Sequence, residues 1–296
     1  HRRGIANGVL GLEMIGPERL RELEPHTRGL QALYSPNTGI IDFTEVTKAY
    51  ARKFKENAGE ILTGTKVLSI NRTNGLLNLA TNRGDVRAHY LINCGGLYAD
   101  VIAHMMGIKH DVQIIPFRGE YYMLAPEARS LVNGLIYPVP DPQFPFLGVH
   151  FTRTIHGEVE AGPNAVLAFA REGYTWSQFN FGESMGILGY RGFWNMAAKH
   201  WRTGFQEFHR SLSKRAFTQA LQRLLPELEE AHLTRGGSGV RAQAVERDGS
   251  MVDDFRISKT ETAIHVRNAP SPGATASLAI SQNIVDLAEQ SFGLPK

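Results

Sequence analysis

Three arginines and one histidine lie in apolar, strand-like surroundings, where their side chains could do chemistry. Arg118, Arg153 and Arg241 each need an anionic partner in such places. The planar guanidinium can hold a carboxylate through two parallel hydrogen bonds, so these arginines could bind an acidic substrate; a structural ion pair is the commoner use. His150 has apolar neighbours on both sides and could accept a proton near neutral pH, or could be a satisfied structural histidine.

Two glycine-containing turns each lie between a predicted strand and a predicted helix. The first is residues 93–100, with the sequence NCGGLYAD, and the second is residues 268–275, with the sequence NAPSPGAT. Backbone amides at such a turn can approach a phosphate, a sugar or the electron-rich edge of a cofactor. Neither turn has the G-x-G-x-x-G spacing, so an ordinary tight turn and a proline-initiated helix remain the alternatives.

Other polar residues narrow the kind of site. Asn164, at the end of a predicted hairpin strand, could donate a hydrogen bond to a substrate or cofactor oxygen, or could simply belong to a turn. The histidines have no metal-ligand spacing, so no metal site is expected. Cys94 is the single cysteine, which excludes an internal disulfide and a cysteine-built zinc site. It fits a reducing compartment, and we expect a cytoplasmic protein, or a mitochondrial one in a eukaryote.

Length and composition limit the classes of protein that remain. The chain has 296 residues, of which 42% are hydrophobic and 21% charged, enough for a globular body of one or two domains. The net charge of +3 is not concentrated in a basic run, so no nucleic-acid partner is expected. No apolar stretch approaches the roughly 18 residues of a spanning helix, although peripheral attachment at the inner face of a membrane stays open.

Helix and strand signals in about the first third of the chain predict three helices, a strand and a meander. Pro17 opens a short helix that Pro25 closes, and Asp42 begins a longer one that ends at Gly59. Glycine and asparagine turns then separate short strands, before a helix that Gly107 caps. The predicted strands are Glu60–Leu62, Lys66–Ile70, Leu76–Thr81 and Val86–Asn93, and the helix is Tyr98–Met106.

The remainder of the chain alternates between strand-rich and helical blocks. Strands are expected from Ile114 to Phe169, with a proline-rich connection at Pro138–Pro145 and a hairpin near His156-Gly157. Ser184–Leu225 is predicted to be helical, in pieces broken at Gly189, Gly192 and Gly204. A loop at 236–239 precedes strands at Val240–Val245, Met251–Ile257 and Ala263–Val266 and a helix from Pro272. These blocks suggest α+β pieces attached to a larger α/β body.

Six motifs occur in the order found in one enzyme family. They are FRGEY at 117–121, YPVP at 137–140, FPFLGVH at 144–150, GPNAVLAF at 162–169, GVRAQA at 239–244 and NAPSP at 268–272. From about Leu20 to its end the chain resembles the L-2-hydroxyglutarate oxidases and dehydrogenases, which belong to the D-amino-acid-oxidase-like flavoproteins.

The resemblance implies an FAD-binding fold with an antiparallel-sheet substrate domain. It places a partial FAD-binding domain at 1–111, the substrate domain at 112–235 and the rest of the FAD-binding domain at 236–296. Family members begin with a strand, a G-x-G-x-x-G turn and a helix, and no segment here matches that unit. With His1 in place of an initiator Met, we expect a chain truncated at its amino end, and homo-oligomers or marginal stability from exposed strand edges.

The resemblance also implies a reaction, the transfer of hydride from C2 of L-2-hydroxyglutarate to FAD, giving 2-oxoglutarate. His150 would take the hydroxyl proton, while Arg241 with Arg118 or Arg153 would hold the two carboxylates. Tyr122 and Asn164 are expected as further substrate contacts. The expected cofactor contacts are Val67, Gly95, Gly96, Gly273, Ala274 and Thr275.

Two other functions remain open at this stage. The substrate could be another 2-hydroxy acid or an amino acid, because related families share the fold. The chain could also be a binding fragment without catalysis, because it lacks the nucleotide-binding turn. The electron acceptor is expected to be oxygen or a quinone.

Overall fold

A computed structural model describes residues 1–139, 148–269 and 271–294. The predicted proline-rich connection therefore lies mostly outside the described residues. The same is true of Pro140 in the YPVP motif, of 144–147 in the FPFLGVH motif and of Pro270 in the NAPSP motif. The chain forms two compact units. The first unit comprises His1–Lys48, Arg118–Val166 and Arg202–Gly239, and the second comprises Ala49–Phe117, Leu167–Trp201 and Val240–Lys296.

Helix starts follow the sequence signals well. One predicted helix begins at Pro17, and the next follows Asp42, whose Oδ1 accepts hydrogen bonds from the backbone N–H groups of Thr44 at 2.7 Å and Glu45 at 3.2 Å. Both predicted starts are confirmed. The helices are α1 (Arg2–Ala6), α2 (Pro17–Leu23), α3 (Phe43–Glu56), α4 (Ala99–Met105), α5 (Phe181–Leu188), α6 (Arg191–Leu212), α7 (Lys214–Leu221) and α8 (Ser277–Phe292).

Strands occupy three blocks of the described chain. The first block is β1 (Glu13–Ile15), β2 (Ala32–Tyr34), β3 (Val67–Thr73), β4 (Leu76–Thr81), β5 (Val86–Ala88) and β6 (Leu91–Asn93). The second block is β7 (Val112–Leu124), β8 (Leu135–Ile136), β9 (His150–Arg153), β10 (Val159–Gly162) and β11 (Val166–Leu167). The third is β12 (Leu233–Glu246), β13 (Arg256–Lys259) and β14 (Ala263–Asn268).

The first unit is built on an antiparallel sheet. Its strands run in the order β7, β10, β9 and β8, and β12 also pairs with β7. The predicted hairpin near His156-Gly157 is confirmed, because β9 and β10 pair antiparallel and Gly157 takes a φ of +78° in the turn. One face of the sheet is covered by α7, through Phe217 and Leu221. This face forms the core of the unit.

The second unit contains two smaller sheets, each with a helix packed on it. β14 lies between β13, with which it is antiparallel, and β6, with which it is parallel. Side chains of α8, including Ile284 and Phe292, pack against Ile264 of β14. The meander of β3, β4 and β5 packs against α4 through Ile102 and Met105.

Three strand predictions in the second unit were wrong. Met251–Ile257 is a strand only from Arg256, where β13 begins, and Met251 forms an isolated bridge with Val245. Glu60–Leu62 is not a strand, because it has no hydrogen-bonded partner among the described strands and its chain turns instead at Gly64, with φ +66°. Val86–Asn93 is not one strand but β5 and β6, which pair in different sheets. Between them Tyr90 leaves the meander and stacks on Phe292 at 4.4 Å.

Glycines explain two further corrections. The predicted loop at 236–239 lies inside β12, and a β carbon at Gly236 would come 3.1 Å from the carbonyl oxygen of Tyr121. Gly192 does not break α6, where a β carbon would lie 2.3 Å from the carbonyl oxygen of Glu246. In both places glycine permits close backbone approach inside a regular element.

Irregular backbone also lies where the sequence did not predict it. The departure from helical geometry within α6 is at His200, with φ −120° and ψ 18°, rather than at Gly192 or Gly204. The last helix begins at Ser277, not near Pro272, because the N–H of Ser277 bonds to the carbonyl of Ala274 in a preceding turn.

Candidate functional site

His150 opens β9 and has a fixed tautomer. Its Nδ1 lies 3.0 Å from the carbonyl oxygen of Gly148, which can only accept, so Nδ1 carries the proton and Nε2 presents a lone pair. Burial lowers the pKa of the imidazole below its ordinary value of 6.5, although the bond to Gly148 acts in the opposite direction. The ring of Tyr137 packs against it in a tilted arrangement, with 4.6 Å between the ring centroids. His150 is therefore a neutral side chain that can accept a proton.

The strand register places other polar side chains on the same sheet face as His150. His150 pairs with Gly162 and Thr152 with Glu160, while Glu160 also pairs with Met123. Met123 therefore lies on this face, and Tyr121, two residues earlier in β7, shares it because side chains alternate along a strand. The opposite face carries the buried side chains of Phe151, Val159, Ala161, Tyr122 and Leu124. The side chains on the face with His150 are only partly buried, which makes this face the candidate for contact with a ligand.

Tyr121 and Glu160 are candidate site residues that sequence reasoning missed. Burial, together with Glu160 and Tyr137, raises the pKa of Tyr121. Burial, together with Glu158, raises the pKa of Glu160. These shifts indicate that the face is partly shielded from water. The alternation of the FRGEYYML segment could have found Tyr121, had its phase been known.

Tyr122 lies on the core face instead. Its ring packs on Phe217 at 4.7 Å, and the guanidinium of Arg235 lies near its hydroxyl. Burial raises the pKa of this phenol, and Arg235 acts against that shift. The structure therefore does not bring Tyr122 together with His150.

Arg118 and Asn164 meet in a buried polar network centred on Glu120. Arg118, which is 1% exposed, donates from Nε to Oε1 of Glu120 at 3.1 Å. Asn164 donates from Nδ2 to Oε2 at 2.9 Å and accepts the backbone N–H of Glu120 at 2.8 Å, and the Ser211 hydroxyl also donates to Oε2. The first and fourth sequence motifs thus pack together, and the ion-pair alternative for Arg118 is realised.

Glycines let these two motifs approach each other. A β carbon at Gly119 would lie 2.9 Å from Pro163, and one at Gly162 would lie 2.8 Å from the carbonyl oxygen of Glu120. Gly162 also takes a φ of +142°, which side chains with a β carbon rarely adopt. The network around Glu120 therefore depends on glycine at both positions.

Arg153 binds backbone carbonyls. Its two Nη groups donate to the carbonyl oxygens of Arg129 at 2.9 Å, Gly157 at 3.4 Å and Val132. The guanidinium therefore joins the hairpin to the segment after β7. It lies on the core face, opposite His150, as strand alternation requires.

In the second unit, Asn93 organises the Gly95-Gly96 turn. Its Oδ1 accepts the N–H of Gly95 at 3.0 Å, and its Nδ2 lies 2.8 Å from the carbonyl oxygen of Ala99 and 3.1 Å from Nδ1 of His265. His265 is fully buried, and burial lowers the pKa of its imidazole. Because Nδ1 of His265 accepts this bond, the neutral ring carries its proton on Nε2.

A bidentate ion pair anchors the far side of the same turn. Arg171 donates to both carboxylate oxygens of Asp100, at 2.7 and 2.9 Å, and also to the carbonyl oxygen of Leu97. Asp100 in addition accepts the backbone N–H of Ile114 at 3.0 Å. Both charged side chains are at most 10% exposed. The turn is therefore held rigidly from inside the unit.

The geometry of this turn fits the phosphate or ribose of a dinucleotide. Gly96 takes a φ of +52° and is exposed, and no described atom lies within 4 Å of where its β carbon would be. A β carbon at Gly95 would instead lie 2.9 Å from the amide oxygen of Asn93. A bare, outward-facing backbone of this kind can approach a cofactor closely.

The other predicted cofactor contacts are also in the second unit. Val67 is the first residue of β3, paired with Thr81. Gly273, Ala274 and Thr275 form the turn just before α8, with the Thr275 hydroxyl donating to the carbonyl of Pro272 at 3.2 Å.

Arg241 belongs to the second unit, whereas His150 belongs to the first. Arg241 lies in β12 and is half-buried, and burial lowers the pKa of its guanidinium. It remains a cation at neutral pH.

The described residues contain neither a metal-ligand group nor a helix that could span a membrane. Residues 1–139, 148–269 and 271–294 hold no group of three or more His, Cys, Asp or Glu side chains placed to bind a metal ion. Within the same ranges, every helix is too short or too polar to cross a membrane.

Comparison with known sequences gives consistent matches. A family model described as FAD dependent oxidoreductase (DAO) matches residues 1–287. An L-2-hydroxyglutarate dehydrogenase of Indibacter alkaliphilus is 49% identical over 291 residues, covering 98% of this chain and 73% of that protein. The enzyme of that name from Escherichia coli K12 is 43% identical, covering 96% and 67%. The mitochondrial enzyme of that name from Homo sapiens is 40% identical, covering 99% and 67%.

Solved structures share the fold at low sequence identity. An FAD-bound L-alpha-glycerophosphate oxidase from Mycoplasma pneumoniae matches with a TM-score of 0.74 and 20% identity, over 99% of this chain and 68% of that one. An L-proline dehydrogenase from P. horikoshii matches with a TM-score of 0.64 and 18% identity, over 100% and 69%. These matches confirm the predicted class, a mixed helix-and-sheet fold with antiparallel sheets.

Proposed function

This chain belongs to the family of FAD-dependent oxidoreductases, and from that premise we propose that it oxidises L-2-hydroxyglutarate to 2-oxoglutarate. The observation that carries the proposal is its identity of 40–49% with L-2-hydroxyglutarate dehydrogenases from bacteria and animals. These matches cover 96–99% of the chain. The alternatives of another 2-hydroxy acid, an amino acid or a fragment without catalysis have no comparable support.

His150 is proposed to hold the proton that leaves the substrate hydroxyl. As the C2–O–H group becomes a carbonyl, that proton moves to Nε2, whose lone pair is available because Nδ1 is bound to Gly148. The lowered pKa keeps the ring neutral and able to accept near neutral pH. Tyr121 and Glu160, on the same sheet face, would orient the substrate beside it.

Arg241 is proposed as an anchor for a substrate carboxylate, since it is a half-buried cation. The predicted second anchor, Arg118 or Arg153, remains a prediction. Arg118 is engaged by Glu120, and Arg153 by three carbonyls, so these bonds favour a role in supporting the sheet. Direct substrate contacts by Tyr122 and Asn164 also remain predictions, because both residues are committed to the packing of the first unit.

When bound, FAD supplies the two-electron acceptor chemistry of the reaction. We propose that Gly95 and Gly96 hold its phosphate or ribose region and that Val67 meets the adenine. The turn of Gly273, Ala274 and Thr275 would direct backbone amides toward the flavin ring. The assignment of 1–111 and 236–296 to FAD, and of 112–235 to substrate, remains a prediction.

The electron acceptor is proposed to be oxygen or a quinone. Peroxide release without quinone would identify oxygen, and turnover only after addition of a soluble quinone analogue would identify the quinone. A reducing compartment is proposed for the site of action, consistent with the single cysteine. The proposed homo-oligomer is checked by light scattering coupled to size-exclusion chromatography.

Peripheral attachment to a membrane surface is also proposed. Phe181 is 71% exposed and Trp194 is 56% exposed. Exposed aromatic residues suit the headgroup level of a bilayer. Vesicle flotation of the protein and of Phe181→Ser tests this, with Tyr174→Ser as the control; equal flotation of all three would contradict it.

The central experiment measures 2-oxoglutarate formation by the FAD-loaded protein. We expect turnover with L-2-hydroxyglutarate and at least about tenfold less with the D enantiomer, because the carboxylate anchors fix only one orientation of C2. L-Lactate, with one carboxylate, is the matched substrate control. Absence of 2-oxoglutarate while FAD stays bound would overturn the proposal.

A further inference from the structure

A cavity of about 820 Å³ lies within the second unit, on residues that the proposed oxidation does not use. Its walls come from the end of α5, the first half of α6 and the turn that follows β12. Arg191, Asn195 and Lys199 line it from α6, and Arg247 lines it from the turn.

The permanent charges that line this cavity are mostly positive. Arg191, Lys199 and Arg247 supply the positive charges, and Asp248 is the acidic side chain among the described lining residues. Both carboxylate oxygens of Asp248 are occupied by Ser250, with bonds of 2.8 and 2.9 Å to its N–H and hydroxyl. Within the part of the chain that the structure describes, none of the three permanent cations forms an ion pair with a carboxylate.

Two of the three cations are held in place by backbone carbonyls. Lys199 donates from Nζ to the carbonyl oxygen of Asp248 at 3.0 Å, and Arg247 donates from Nε to that of His110 at 2.8 Å. Asn195 joins the two walls through a 2.8 Å bond from Nδ2 to the carbonyl oxygen of Arg247. These contacts leave the cationic charges to act on a ligand in the cavity.

The turn and the helix also touch through their backbones. Gly249 takes a φ of +86°, and a β carbon there would lie 2.4 Å from the backbone nitrogen of Met196. Such close approach fixes the position of Arg247 and Asp248 relative to α6. The site is therefore formed before any ligand arrives, which reduces the entropy lost on binding.

We propose that this cavity binds a phosphate-bearing ligand. A phosphate group offers several anionic oxygens, which two guanidinium groups and an ammonium group can bind together. The cavity is within the size range of small-molecule sites. Two sources share this chemistry, a free phosphate compound and the headgroup of an anionic lipid, and the experiment separates them.

The test measures binding by the purified protein and does not depend on turnover, so it can succeed or fail independently of the proposed oxidation. Pyrophosphate is titrated calorimetrically, and vesicles of phosphatidylcholine with or without phosphatidylglycerol are tested by flotation. The cavity variants are Arg191→Gln and Lys199→Gln. Arg52→Gln and Arg87→Gln are matched controls, since both are exposed arginines of the same unit outside the cavity.

We expect each cavity variant to weaken binding by about tenfold or more and the controls to leave it unchanged. Loss of pyrophosphate binding identifies a free phosphate compound as the source, and loss of phosphatidylglycerol-dependent flotation identifies a lipid headgroup. Circular dichroism and the charge-retaining Arg191→Lys separate loss of charge from loss of fold, and Arg191→Lys should keep most of the affinity. Binding of neither probe, or equal effects in controls and cavity variants, would overturn the proposal.

Discussion

The ion pair of Asp100 and Arg171 makes the most quantitative prediction. Asp100→Asn keeps the size of the side chain and removes its charge. Arg171 then loses a bidentate carboxylate bound at 2.7 and 2.9 Å, while its guanidinium stays buried. The two side chains are only 5% and 10% exposed, so water cannot replace the lost partner. An uncompensated buried charge of this kind costs about 3–5 kcal/mol.

The measurement is urea unfolding followed by circular dichroism. The free energy of unfolding of Asp100→Asn should fall by about 3–5 kcal/mol, a large fraction of the stability of an ordinary domain. FAD affinity should fall as well, because Arg171 also bonds to the carbonyl of Leu97 in the Gly95-Gly96 turn.

The double variant Asp100→Asn with Arg171→Met is the control. It leaves no buried charge, so its loss of stability should be clearly smaller than the sum of the two single losses. If the free energy of unfolding of Asp100→Asn lies within about 1 kcal/mol of that of the unchanged protein, the ion pair is not a structural anchor and the reasoning fails.

Three further predictions follow from other residues. His150→Ala should lower kcat by about 10²–10⁴-fold with FAD still bound, and the acid limb of kcat/KM in the unchanged protein should lie below pH 6.5, since the pKa of His150 is lowered; an intact kcat would contradict this. Glu120→Gln should cost about 2–3 kcal/mol of unfolding free energy, because three side chains bind that carboxylate; Glu127→Gln, at an exposed position, is the control. The pKa of His265 is lowered in the folded protein, so on acidification the unfolded chain binds a proton at this residue first. The free energy of unfolding should therefore fall as the pH drops below 6.5, by at most about 1.4 kcal/mol per pH unit. His265→Gln should flatten this pH dependence, and an unchanged slope would refute the prediction.

Local signals predicted the parts of the fold that neighbouring residues determine. Pro17 and Asp42 give correct helix starts, because a first-turn proline and a capping carboxylate act within one turn. The hairpin at Gly157 is correct for the same reason. The loop prediction at 236–239 failed because Gly236 serves a close contact with Tyr121, which lies more than a hundred residues away.

The candidate site was predictable in its residue types but not in its contacts. Sequence motifs identified Arg118 and Asn164, yet both are joined through Glu120, and the bond between Asn164 and Glu120 spans 44 residues. No local spacing reveals such a network. For the adjacent tyrosines, a strand with two aromatic residues in succession does not show which one faces the core.

The alternation of Tyr121 and Tyr122 has an evolutionary consequence. Insertion or deletion of one residue between Gly119 and Leu124 would exchange the two faces of β7. Tyr121 would then point into the hydrophobic core and Tyr122 away from it. Related genes should therefore tolerate amino-acid replacement within this stretch far better than any change in its length.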